Sequence, residues 1–142
     1  MKIEEIKAAL DVVRACDNVL LATKRRDGYP EIRHMANMLN RDAREMTLYF
    51  ITTNYSPKVL QIACLDKCCL YYYDAETHHA LRLFGVMETL DDAETRHKYW
   101  HDDFKKFGYS GPDDENFVIL KFVCDEYKYY VGNEMKRGLL MH

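Results

Sequence analysis

Phe50-Ile51-Thr52-Thr53-Asn54-Tyr55-Ser56-Pro57-Lys58 gathers the side chains best suited to hold an anion. Two hydroxyls end an apolar run and a turn follows. Ser56 and Pro57 then open a helical stretch, Ser as a good N-cap and Pro as a good first residue. The first amides of a helix lack intrahelical acceptors and its dipole is positive there, so the junction suits a phosphate. Lys58 adds to this, because a cation in the first turn is unfavourable unless an anion lies between it and the dipole. The plainer alternative is that Ser56 only caps and Lys58 is solvated. Arg33 is the second feature, a basic residue in the strand-like stretch Ile32 to Leu39 that wants an anionic partner. Its alternative is an Arg on the solvent face of a strand.

Other groupings carry weaker chemistry. His97 and His101 stand four apart on a predicted helix, but Lys98 replaces the Glu of the zinc-protease pattern, and no metal is expected. Cys64, Cys68 and Cys69 have no zinc-finger spacing and read as small apolar residues across a helix-to-strand junction. His78 and His79 fall in a hairpin loop. Tyr99 and Trp100 read as core or interface packing, and Tyr71, Tyr72 and Tyr73 must alternate between the two faces of a strand. No residue stands out as a general acid or base.

These residues need elements to position them. Ile3, Ile6, Ala9, Leu10 and Val13 have helical spacing. Val19 to Lys24 and Tyr29 to Met38 read as a hairpin around Asp27-Gly28, with Pro30 at a strand start. Residues 46 to 53 suit a strand buried on both faces, and a short helix runs from Ser56 to about Leu65. Cys68 to Tyr73 and Ala80 to Thr89 form a second hairpin. Asp91 and Glu94 match a capping box opening one helix from about Asp91 to Phe107. Phe117 to Val123 and Tyr127 to Val131 read as two strands, and the chain from about residue 133 reads as a tail. Direct hairpins exclude a doubly wound parallel sheet. The expected fold is mainly β with helices (α+β), a small antiparallel barrel with peripheral helices.

Composition sets the outer limits. The 142 residues are 48% apolar and 30% charged with six Gly and three Pro, which suits one globular domain. Five Cys without a secretory segment point to reduced thiols. A net charge of −3 gives no footprint for nucleic acid, and no apolar run approaches the ~20 residues of a membrane helix. A soluble cytoplasmic protein is expected. Eleven Tyr and six Phe favour strands, interfaces and flat ligands.

Asp27-Gly28-Tyr29-Pro30-Glu31-Ile32-Arg33-His34-Met35 followed by Leu48-Tyr49-Phe50-Ile51-Thr52-Thr53-Asn54-Tyr55-Ser56-Pro57-Lys58 resembles the pyridoxamine 5'-phosphate oxidase superfamily of FMN-binding split barrels, and its short general-stress-protein-like members more closely. The resemblance spans roughly residues 5 to 132. It implies a homodimer of six-stranded antiparallel split β-barrels with FMN in two clefts at the interface. Arg33, Thr52, Ser56 and Lys58 match the positions that hold the FMN phosphate in the family, with Thr53 a further donor. His34, Met35, Ala36 and Asn37 match the segment whose backbone runs beside the isoalloxazine ring. Pro57 stands where pyridoxamine phosphate oxidases commonly have Arg, and the chain stops with Gly132 to His142 where they carry a C-terminal extension whose Arg and His bind the vitamin substrate, so vitamin B6 oxidation is not expected. The implied activity is an FMN-dependent oxidoreductase linking NADPH or NADH to an unidentified small acceptor. The alternatives are a non-catalytic flavin carrier or redox sensor, or a split barrel holding deazaflavin or haem.

Overall fold

A computed structural model describes residues 3–140. The order is α1 (Ile3–Ala15), β1 (Asn18–Lys24), β2 (Pro30–Ala36), a 3-10 turn (Met38–Asn40), β3 (Thr47–Thr53), α2 (Pro57–Cys64), β4 (Lys67–Asp74) and β5 (His79–Leu90). There follow α3 (Ala93–Tyr99), a 3-10 segment (Asp102–Phe107), β6 (Phe117–Val131) and β7 (Glu134–Leu139). All strand pairings are antiparallel, in the order β2-β1-β4-β5-β6-β3. β2 and β3 end that order and approach each other without a ladder, so the barrel stays split.

β6 is the spine. One edge pairs with β5 from Ile119 to Tyr130, while the other pairs first with β3 and then with β7. Period-two alternation builds the core: Val19 and Leu21, Leu48 and Phe50, Leu70 and Tyr72, Leu81 and Leu83, and Leu120 and Phe122 all point inward. Ala9, Leu10 and Val13 of α1 join this cluster. A smaller cluster of Phe104, Tyr109, Phe117 and Ile119 lies apart from it, with Tyr49, Ile51 and Trp100 packed against it. This second cluster accounts for the two-sided burial expected of residues 46 to 53. Trp100 meets Phe104 and Phe117 edge-on, so its ring packs within the chain.

Four expectations need correction. The helix predicted from Asp91 to Phe107 is two pieces, because the backbone leaves the helical region at Trp100 and His101. Asp92 rather than Asp91 caps α3, accepting from the Thr95 amide at 3.0 Å. The two strands predicted around Asp125-Glu126 are one strand of 15 residues, with the irregularity absorbed where Phe84 pairs with Glu126 but Gly85 pairs with Cys124. Within the predicted tail, Glu134–Leu139 is a seventh strand; residues 141 and 142 lie outside the described residues. No helix among the described residues is long and apolar enough to cross a membrane.

Candidate functional site

β3 ends, the chain turns sharply with Tyr55 in the left-handed region (φ 61°), and α2 begins at Pro57. Strand alternation sends Thr52 inward, where it is buried, and leaves Thr53 exposed. Lys58 folds back from the first turn of α2 and donates from Nζ to Thr52 Oγ1 at 3.1 Å and to Ser56 Oγ at 3.5 Å. Ser56 holds the N-cap backbone conformation, yet its hydroxyl makes no cap hydrogen bond. The expected side-chain cap is therefore absent, and the first amides of α2 gain no side-chain acceptor.

Arg33 comes from the opposite wall. Burial in β2 alternates, and Glu31, Arg33 and Met35 share the inward face. The Arg33 guanidinium donates to Thr23 Oγ1 at 2.6 Å and to the Leu21 carbonyl at 3.3 Å. Glu31 is its one carboxylate neighbour among the described residues, at 3.6 Å and shared with Arg25. Desolvation lowers the Lys58 pKa, and the Arg33 charge lowers it further. Desolvation also lowers that of Arg33, partly offset by Glu31. Lys58 makes no ion pair among the described residues. Two partly desolvated cations, hydroxyls and free helix amides form a donor set for an anion of more than one charge. A phosphate monoester fits it.

The other predicted site residues divide. Thr53 is exposed on the strand face opposite Thr52, and its hydroxyl lies 2.7 Å from the Tyr109 hydroxyl. His34 and Ala36 are exposed on the outer face of β2, whereas Met35 is in the core. Asn37 is fully buried and its side-chain amide is bonded on every side within the fold. What residues 34–36 can offer is backbone, because β2 is an edge strand with one paired side.

His97 and His101 do not share a helical face. His97 Nε2 lies 2.7 Å from Asp113, while His101 Nδ1 accepts from the Asp103 amide. No metal-binding group of three or more His, Cys, Asp or Glu occurs among the described residues. Cys64 is exposed, which corrects its reading as a packed apolar residue, and Cys68 is buried with its thiol pushed up to about 12 by desolvation. Two members of the site escaped the sequence reading. Thr23 carries the Arg33 contact, and its Oγ1 lies 2.5 Å from Gln61 Oε1. Neither belongs to a local motif; only the inward parity of Thr23 with Val19 and Leu21 pointed toward the interior.

Comparison with known proteins gives the fold and the family. The solved structure of a protein related to general stress protein 26 from Clostridium acetobutylicum is 21% identical, with 99% of this chain and 97% of that one covered and a TM-score of 0.85. General stress protein 26 from Bacillus anthracis str. Sterne is 20% identical over 96% and 98% of the two chains, with a TM-score of 0.72. A pyridoxamine 5'-phosphate oxidase-related, FMN binding protein from Nostoc punctiforme PCC 73102 is 20% identical over 94% and 86%, with a TM-score of 0.69. At these identities the likeness establishes the fold. No curated protein matches the sequence. The family model described as pyridoxamine 5'-phosphate oxidase like matches residues 4–141, nearly the whole chain. The chain belongs to the pyridoxamine 5'-phosphate oxidase like family.

Proposed function

We propose that this protein binds FMN, with its phosphate between Arg33 and Lys58, and acts as a flavin-dependent oxidoreductase with a nicotinamide donor and a small acceptor. The observation that carries the reading is Lys58, a partly buried cation at a helix N-terminus, beside Arg33 and with no carboxylate partner among the described residues. A neighbour of the same fold is described as an FMN binding protein, in keeping with this ligand. Bound FMN would supply hydride and electron chemistry at its ring. The chain's own part is to bind and orient: Arg33 and Lys58 neutralise the phosphate, Thr52 and Ser56 supply hydroxyls, and the edge backbone of β2 lies open to a flat polar ligand. Two copies of this chain would enclose the ring between them, as the family resemblance suggests.

The decisive test is reconstitution with FMN, desalting, a visible spectrum and anaerobic addition of NADPH or NADH. Retained flavin bands that bleach support the whole reading; retained bands that stay leave a flavin binder without this donor, and a colourless protein overturns it. Arg33→Ala and Lys58→Ala are each expected to weaken FMN binding by about 1.5 to 3 kcal/mol, the range for hydrogen bonds to charged groups. Unchanged affinity in both, by fluorescence titration, would place the phosphate elsewhere.

A pH dependence follows. In the free protein, burial and Arg33 both favour neutral Lys58, whereas a bound phosphate favours its cation. Binding therefore draws a proton onto Lys58 once the pH exceeds its depressed pKa in the free protein. FMN affinity should fall as pH rises through that value toward the higher pKa of the complex. Lys58→Arg, which keeps its charge, should flatten the fall; an equal slope in both proteins would assign it to another group.

A further inference from the structure

The contact between β1 and α2 runs through two polar side chains that bind no ligand in the reading above. Arg33 has only N–H donors, so at 2.6 Å the Thr23 hydroxyl must accept. The single Thr23 proton is then committed to Gln61 Oε1, 2.5 Å away, and this polarity fixes the Gln61 amide. Gln61 stands one turn beyond Lys58 on α2, at the i+3 spacing that keeps two side chains on one side of a helix. Thr23 is 3% exposed, so its hydroxyl has little recourse to water and needs both partners. One directional chain, Arg33 to Thr23 to Gln61, thus ties the strand that carries one phosphate-binding cation to the helix that carries the other.

Glu31 shows what the chain limits, because its ion pair with Arg33 stays long while Thr23 holds the other guanidinium nitrogen. Thr23 is paired directly with Glu31 in the β1–β2 ladder and stands diagonal to Arg33. The Glu31 carboxylate already lies 3.6 Å from the guanidinium. Without the Thr23 hydroxyl, Arg33 keeps only the Leu21 carbonyl at 3.3 Å and that carboxylate, its one charged acceptor among the described residues, and a guanidinium drawn closer to Glu31 is turned and further neutralised before any ligand arrives.

We propose that Thr23 is a positioning residue for the phosphate site, acting with Gln61 to keep Arg33 from closing its long ion pair with Glu31 and to leave it for the same anion as Lys58. The proposal rests on the FMN reading, and it adds how the two cations are brought to one ligand. Thr23 and Gln61 act through Arg33 and α2, so their loss should be felt only by a ligand that carries the phosphate.

The test compares FMN with riboflavin, which lacks the phosphate, by fluorescence titration of Thr23→Val, Thr23→Ser, Gln61→Leu and the Thr23→Val/Gln61→Leu pair. Thr23→Val and Gln61→Leu should each weaken FMN about tenfold and leave riboflavin unchanged. Thr23→Ser should restore FMN binding, and the pair should lose no more than one single variant, because both cut one chain. A Thr23→Val protein that keeps the full preference for FMN, or loses both flavins equally, overturns the proposal, as do additive losses in the pair. Should Thr23→Val fail to fold, Gln61→Leu decides alone, since Gln61 is only half-buried. A wild-type protein that binds FMN no better than riboflavin refutes the phosphate reading itself, a result distinct from a wild type that discriminates while the variants do so equally well.

Discussion

Asn37→Ala is expected to destabilise the protein by about 4 kcal/mol, through loss of a buried network rather than loss of a ligand contact. The last carbonyls of a helix have no intrahelical donor, and α1 ends at Ala15. Asn37 Nδ2 serves that end by donating to the Val13 carbonyl at 2.7 Å and to the Cys16 carbonyl at 2.8 Å. Its Oδ1 accepts from the Tyr72 hydroxyl at 2.8 Å and from Asn40 Nδ2 at 3.1 Å. The side chain thus joins α1, the end of β2, the 3-10 turn and β4 with no access to water. Alanine leaves the Tyr72 hydroxyl and two carbonyls without their partner and opens a void; each buried unsatisfied group costs roughly 1 to 3 kcal/mol. Urea unfolding measures the loss, and a change below about 1 kcal/mol would mean that water or local rearrangement replaces the amide. Tyr72→Phe removes one member and should cost less than Asn37→Ala.

Gly85→Ala should cost about 3 kcal/mol or more, by overpacking. At the β5–β6 irregularity, an added Cβ would sit 2.2 Å from the Val123 carbonyl oxygen and 2.7 Å from the Phe122 ring. The first obstacle is backbone of the central strand, so relief requires moving β6 and with it the β3 and β7 ladders. Thermal unfolding should shift down by about 10 °C at that cost. Gly111→Ala is the control, because its Cβ meets nothing within 4 Å. Equal stability of the two variants would show that the irregularity can open at little cost.

The legible parts of this chain were those encoded locally. The β3-to-α2 junction is announced by hydroxyls, an Asn-Tyr turn, Ser and Pro within nine residues, and both early hairpins have turn signals between apolar runs. The break at Trp100 was hidden because His97, Trp100, Phe104 and Phe107 keep spacings of three and four that also suit the 3-10 segment that follows. β7 was hidden for the opposite reason. Its residues are almost all exposed on both faces, so no alternation marks it, and only its ladder to β6 makes it a strand. Asp125-Glu126 looked like a turn because polar residues also occupy an irregularity on a strand. At the site, Arg33, Ser56 and Lys58 stood out by type, whereas Thr23 meets Gln61 across 38 positions, a contact set by tertiary structure alone. The structural role of the Asn37 side chain was hidden because its partners Val13, Cys16 and Tyr72 lie far away in sequence.

The double edge of β6 also dictates when the proposed phosphate site can form. Among the described residues β3 pairs only with β6, and Thr52 pairs with Val118, so its hydroxyl has no fixed place until that later strand arrives. On a ribosome adding roughly 5 to 20 residues per second, β3 therefore waits on the order of ten seconds as an unpaired apolar strand. During that interval the β1–β2 and β4–β5 hairpins can close by local pairing. The proposed cofactor, needing Thr52 and Lys58 beside Arg33, would meet a finished barrel, and its capture would report that synthesis has passed β6.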